Sequence, residues 1–189
     1  MNRPIVRVGL AAAAVLALDL WSKAWAVRVL QHHPPISVIG DLVRFTFTRN
    51  SGVAFGLGQG TGFPFYVFSI IASLGILWLV LRGRVHGGLP LLALGLILGG
   101  AIGNLVDRVT TGEVVDFILL SWRGHDFPVF NVADSAVTIG VALFALAWGR
   151  PHEHEASHDA PAAAGAPRDA SAPASDPDER ARDAASGAE

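Results

Sequence analysis

The chain has 189 residues, 51% of them hydrophobic, and a mean hydropathy of +0.44, a balance that fits a membrane protein and excludes a soluble domain of ordinary polarity. Its net charge of -2 hides a split: residues 150–189 carry nine acidic and four basic side chains and the body before them seven and ten, too thin a basic excess for a nucleic-acid footprint. With no cysteine anywhere, disulfides, thiolate zinc sites and a cysteine nucleophile are excluded.

Residues 6–29 are the first of four stretches apolar enough to cross a hydrocarbon core of about 30 Å, which takes about 20 helical residues. A cleaved secretory signal is the competing reading, because Arg3 and Arg7 precede an alanine-rich run and Ala24-Trp25-Ala26 mimics a small-x-small cleavage site. Asp19 and Lys23 argue against it by interrupting the apolar run, which also exceeds the ~7–15 residues of such a signal. Lys23 is the only lysine in the chain. An Asp or Lys at mid-span costs ~2.5–3.5 kcal/mol, so each needs a partner or a function. The two stand one helical turn apart, in the order that favours an ion pair, with Ser22 beside them. Such a pair either fixes how the first helix packs or takes part in substrate binding.

In the connection that follows, Val43-Arg44-Phe45-Thr46-Phe47-Thr48 alternates as a short strand or hairpin arm, and Asn50-Ser51-Gly52 reads as a turn. Gly56, Gly58, Gly60 and Gly62 then recur without the Lys-Ser/Thr that completes a nucleotide loop, so they read as a hinge or linker. The second span covers 63–81 and the third 89–106. Gly95, Gly99 and Gly103 recur every fourth residue of the third, a smooth strip along which a neighbouring helix can approach. Asn104 and Arg108 share one face at its end, offering an amide and a planar five-donor fork. The bland alternative is that a cation there suits the helix macrodipole and that Asp107 is a local partner for an arginine.

Asp116 follows in an apolar context just outside the third helix, and Asp134 stands near the start of the fourth span, 129–148. The short connection makes these helix ends neighbours, so the two carboxylates can meet. Two acids sharing one site cannot readily both ionise; one keeps its proton and donates while the other takes a proton from water, the working arrangement of an aspartic peptidase. Asp134 alone also fits a capping-box-like helix start with Asn131 as the N-cap. That reading accounts neither for Asp116 nor for the gathering of polar residues on one membrane side. Arg3, Arg7, Arg82, Arg84 and Arg150 put both termini in the cytoplasm and the two longer connections outside. Residues 151–189 contain no Val, Ile, Leu, Met, Phe, Trp or Tyr and are expected to be disordered, with His152, His154 and His158 read as a solvated polar segment before a metal tract.

Five blocks carry a resemblance: Asp19-x-x-Ser22-Lys23, Asn50-Ser51-Gly52-Val53-Ala54-Phe55, Gly103-Asn104-Leu105-Val106-Asp107-Arg108, Val114-Val115-Asp116-Phe117 and Phe130-Asn131-Val132-Ala133-Asp134. Together, and in this order, they resemble the bacterial lipoprotein signal peptidases, also called signal peptidase II, over residues 19–138. The resemblance implies an aspartic endopeptidase that cleaves diacylglyceryl-modified prolipoproteins just before the lipidated cysteine. It implies Asp116 and Asp134 as the catalytic pair, and Asp19, Lys23, Asn50, Gly52, Asn104, Arg108 and Asn131 as substrate-binding positions. The expected architecture is an all-α membrane protein of four transmembrane helices, with a small periplasmic β-cradle between helices 1 and 2 and a disordered tail. Residues 1–149 form the peptidase domain and 150–189 the tail. The expected setting is the cell inner membrane, with the active site at the periplasmic face, lipid-modified prolipoproteins and membrane lipid as partners, no nucleic acid, a monomer, and neither cofactor nor metal. Two other classes compete: a small ion-coupled transporter, for which the chain lacks an internal repeat, and a non-catalytic assembly factor. A Gly-x-Ser-x-Gly elbow and a His-Glu-x-x-His helix are absent, and none of the seven histidines lies in a predicted span.

Overall fold

The computed structural model describes residues 3–52 and 64–148. The glycine series from Gly56 to Gly62 and the acidic tail of 150–189 lie outside the described residues.

Helix α1, Arg3–Leu30, buries Val8, Ala12, Val15, Asp19, Ser22, Lys23, Ala26 and Leu30. Steps of mostly three and four residues put these on one face, which reads apolar, then polar, then apolar along the helix. Each apolar end joins its own cluster. Val8 packs with Ile76, Val80, Val85, Leu91 and Leu94, while Ala26 and Leu30 pack with Val115 and Phe117. The polar turn of α1 therefore lies between two hydrophobic clusters.

Helices α2, Tyr66–Leu81, α3, Gly88–Thr111, and α4, Val132–Trp148, complete the helical part. Helix α3 continues past the expected end at 106, because the end of an apolar run is not the end of a helix when the following polar side chains find partners inside the protein. Gly112 stops it: its φ of 81° is a left-handed conformation that costs glycine little, and its N–H caps the Arg108 carbonyl at 3.1 Å. The expected small-residue strip is the seam between α1 and α3. A Cβ at Gly95 would come within 2.5 Å of the Ala11 side chain, and one at Gly99 within 2.7 Å of the Ala12 carbonyl. On another side of α3, Gly100 lies against the Ala133 carbonyl of α4.

Strands β1, Ile36–Ile39, β2, Val43–Asn50, β3, Val114–Trp122, and β4, His125–Asp126, form one antiparallel sheet in that order. The strand expected around Phe45 and Phe47 is β2. The sheet is not confined to the connection between the first two helices, since β3 and β4 come from the connection between α3 and α4. Strand β3 is mostly buried along its first six residues and so lacks the alternation that marks a half-buried strand in sequence. The chain is thus mostly helical with a small antiparallel sheet, as expected, except that the sheet draws strands from both connections. Strand β2 carries one extra residue between the Phe45–Ile118 and Thr48–Asp116 pairs, a bulge that sets Asn50 opposite Val114 and its side chain within reach of Asp116.

The molecule is inverted relative to a water-soluble protein. Asp19, Lys23, Asn104 and Asp116 are buried, whereas Leu10, Trp21, Ile71, Leu74 and Leu146 face outward. Helices α1 and α3 are each long and apolar enough to cross a membrane; α2 and α4 are apolar but shorter, at 16 and 17 residues.

Candidate active site

Three asparagines organise the polar layer where α1, α3, α4 and the sheet meet. An amide side chain can present either its oxygen or its NH2 to a neighbour, so the atom facing each carboxylate follows from what holds the other end. The Asn50 Oδ1 accepts the Gly52 N–H at 2.9 Å, which turns its NH2 toward Asp116 Oδ2 at 3.0 Å. Likewise Asn131 Oδ1 accepts the Asp134 N–H at 2.9 Å, and its NH2 reaches Asp116 Oδ1 at 2.7 Å. For Asn104 the holding group is a side chain: Lys23 Nζ donates to Oδ1 at 2.9 Å, and the NH2 donates to Asp134 Oδ1 at 2.8 Å. Each asparagine thus directs its donor to a carboxylate.

The two acids belong to one network through Asn131. Its Nδ2 serves Asp116, its Oδ1 receives the Asp134 backbone N–H, and its own N–H donates to Asp134 Oδ2 at 3.3 Å. The last two bonds are the reciprocal capping box that the sequence suggested for Asp134. Capping leaves Asp134 Oδ1 to take the Asn104 amide, so the cap and membership of the polar network coexist in one side chain.

Asp116 is 2% exposed, and burial raises its carboxyl from 3.8 to about 6. The Asn50 amide opposes that rise by favouring the carboxylate, the negative charge of Asp134 adds to it, and the Asn131 amide and the Lys23 ammonium oppose it again. Burial wins, so the proton leaves Asp116 close to neutrality.

Lys23 forms the expected pair with Asp19 at 2.7 Å and a second pair with Asp107 at 3.0 Å. Asp107 also lies within electrostatic reach of Arg108, the local partner expected for it, but its ion pair is with a lysine from another helix. Asp107 Oδ2 also accepts the Val115 N–H at 3.2 Å, which ties α3 to the strand that carries Asp116. Asp19 Oδ1 accepts the Ala133 N–H at 2.8 Å, one residue before Asp134. Arg108 Nη2 donates to the Gly52 carbonyl at 2.8 Å, so α3 grips the chain just beyond β2. All the positions singled out in sequence are joined by these bonds. Asp107, which the sequence offered as a local arginine partner inside the Gly103–Arg108 block, was not among the site candidates.

A cleft of about 640 Å³ opens beside this network between α2, α3, α4 and the sheet. Phe68, Ile97, Leu120, Phe130 and Ile139 make much of it apolar, and Asn104, Arg108 and Asp134 supply polar groups. Asp116, Asn50 and Asn131 are buried next to it, Asn131 bonding both to Asp116 and to the lining residues Asn104 and Asp134, while Asp19 and Lys23 are 0% and 3% exposed. A mostly apolar groove with an acid and a guanidinium on its wall suits an apolar peptide whose backbone needs polar contacts at one point.

Residues 11–149 match the sequence family described as Signal peptidase (SPase) II. A lipoprotein signal peptidase of Geobacillus thermodenitrificans is 47% identical over 134 residues, covering 71% of this chain and 84% of that protein. One of Pseudomonas putida is 44% identical over 138 residues, covering 70% and 80%. A bacterial membrane enzyme solved by the in meso method at 2.3 Å resolution superposes with a TM-score of 0.67 at 35% identity, covering 74% of this chain and 85% of that one.

Proposed function

Because this chain belongs to the signal peptidase II family, we propose that it is an aspartic endopeptidase that removes the signal peptide from diacylglyceryl-modified prolipoproteins just before the lipidated cysteine. It is a membrane peptidase of lipoprotein maturation. The finer reading concerns the mechanism, the cleavage site and the residues that serve them.

The observation that supports it most is that Asn131 donates to both carboxylates, to Asp116 from its side-chain Nδ2 and to Asp134 from its backbone N–H, with burial raising Asp116 to about 6. In that setting Asp116 carries the shared proton and Asp134 acts as the base. The oxygen of a water molecule attacks the scissile carbonyl carbon while its proton passes to Asp134, and Asp116 gives its proton to the carbonyl oxygen. As the tetrahedral intermediate collapses, Asp134 passes its proton to the amide nitrogen and a hydroxyl of the intermediate returns one to Asp116, so the C–N bond breaks and both acids regain their starting states. The products are a signal peptide with a free carboxyl group and a lipoprotein with a free amino group on its cysteine. Asn104 and Arg108 contact the substrate backbone from the cleft wall, and Asn50, Gly52 and Asn131 shape the site around the acids.

The setting that goes with this chemistry is a four-span monomer in the inner membrane, with both termini cytoplasmic and the acids at the periplasmic face. Helices α2 and α4 measure about 24 and about 26 Å at 1.5 Å per residue, short of the ~30 Å core, so their ends must be completed by flanking residues or by a thinned bilayer. Residues 1–149 then form the peptidase body and 150–189 its C-terminal tail. A lipidated substrate reaches the cleft by lateral diffusion, with its cleavage site at the depth of the acids.

Cleavage of a lipidated precursor by purified protein tests the reading. Asp116→Asn and Asp134→Asn, each shown to insert normally, are expected to leave the precursor uncut. Full activity in either variant rules out the acid pair and favours a binding or assembly role.

A further inference from the structure

We infer that Lys23 is a positioning residue of this peptidase, which acts on Asp134 by fixing the orientation of the Asn104 amide; the inference rests on the acid-pair reading above. The atom of Asn104 that lies 2.9 Å from Lys23 Nζ must be the carbonyl oxygen, because an ammonium has three donors and no acceptor. The NH2 is then committed to Asp134 Oδ1, at 2.8 Å. A flipped amide would turn a carbonyl oxygen toward the carboxylate and its NH2 toward the ammonium, so Lys23 excludes that state from both sides. Asn131 Nδ2, 3.2 Å from the same Asn104 oxygen, votes the same way more weakly.

The other two asparagines of the site have no need of such a device. Each is held by a backbone N–H close in sequence, Gly52 for Asn50 and Asp134 for Asn131. Asn104 sits inside α3, where its neighbouring N–H groups are engaged in the helix, so a donor has to come from elsewhere. It comes from α1, and the close approach of α1 and α3 along Gly95, Gly99 and Gly103 lets a buried side chain span the gap. Asp19 and Asp107 flank the ammonium at 2.7 and 3.0 Å, which fixes its position between them. This gives the only lysine of the chain a task beyond neutralising Asp19.

A double-mutant cycle with the purified enzyme and a lipidated precursor tests the assignment. Lys23→Met is expected to lower kcat about 10–100-fold, the range typical of residues that orient a functional side chain, with KM changed less than about twofold. In an Asn104→Ala background the same substitution is expected to lower kcat less than about threefold, because the amide it orients is already gone. An equal loss in both backgrounds overturns the inference, as does a Lys23→Met enzyme with unchanged kcat. Removing the ammonium strands two carboxylates, so the cycle is repeated with Lys23→Met/Asp107→Asn, which removes one charge of each sign and leaves Val115 an acceptor. If only this version accumulates in membranes, its kcat values decide on the same criteria. Asp134→Asn is assayed in parallel. Full activity there removes the acid-pair reading itself, whereas an inactive Asp134→Asn beside equal losses in the two backgrounds removes only the role given to Lys23.

Discussion

The pair of Lys23 with Asp19 and the pair of Arg44 with Asp126 have the same separation, 2.7 Å, in opposite surroundings. The first has side chains 4% and 0% exposed and is shared with Asp107; the second, at the outer end of the sheet, has side chains 28% and 58% exposed. Water already solvates Arg44 and Asp126, and holding two side chains in one geometry costs about what their attraction returns, so such pairs contribute about 0–1 kcal/mol. Around Lys23 there is no such alternative. Removing one partner there leaves a charge unsolvated, at a cost of about 3–5 kcal/mol. Distance alone therefore says little about which polar contact matters. The buried site adds something the exposed one lacks: each of its groups has a second partner that leads toward Asp116 or Asp134.

If that contrast is right, substitutions should rank by their connection to the acids. Asp116→Asn and Asp134→Asn head the order, with an expected loss of at least about a thousandfold in cleavage rate and little change in insertion. Next comes Asp19→Ala, which leaves Lys23 with Asp107 as its one carboxylate and the Ala133 N–H without its acceptor, and is expected to lower stability by about 1–3 kcal/mol, read from thermal unfolding in detergent. A stability equal to that of the parent would break the contrast. Gly100→Ala pushes a methyl group against the Ala133 carbonyl at the α3–α4 seam and is expected to cost about 1–3 kcal/mol in the same measurement. The added methyl meets nothing at Gly83, but its φ of 61° disfavours a side chain, so Gly75, open and helical, is the better control.

A pH profile sharpens the comparison at the acids themselves. On the acid-pair reading, Asp116, raised to about 6, acts in its protonated form, so kcat/KM is expected to fall about tenfold per unit above that pH. Asn50 donates to the charged form of Asp116 and so holds its pKa down. Asn50→Ala should therefore move the falling limb to higher pH, and a limb that moves down or stays put would contradict the balance of causes described here. The smallest effect belongs to Arg44→Ala, expected to change stability by less than about 1 kcal/mol and the cleavage rate by less than about twofold.

Much of this was legible because it depends on short stretches of chain. The apolar runs fixed the helices, Gly95, Gly99 and Gly103 marked the seam, and Asp19 with Lys23 announced a pair, since helical periodicity and the cost of an unpaired charge in lipid are local rules. The alternation around Phe45 and Phe47 likewise exposed β2. Strand β3 escaped because a strand buried on both faces has no alternation to read. The Thr111 end of α3 escaped because polar side chains end an apolar run even where Asp107 and Arg108 turn inward to partners and the helix continues.

What only the tertiary structure decided is who meets whom across distance. Lys23 and Asn104 are 81 positions apart, Asn50 and Asp116 are 66, and Asp19 and Ala133 are 114. Sequence could name these polar groups, because a buried dipole or charge must be satisfied by something. It could not name the partner, assign Asp107 to Lys23 or say that Asp134 lines the cleft while Asp116 is buried. Those outcomes depend on how closely α1, α3 and α4 pack and on a one-residue bulge in β2, and no local pattern encodes them.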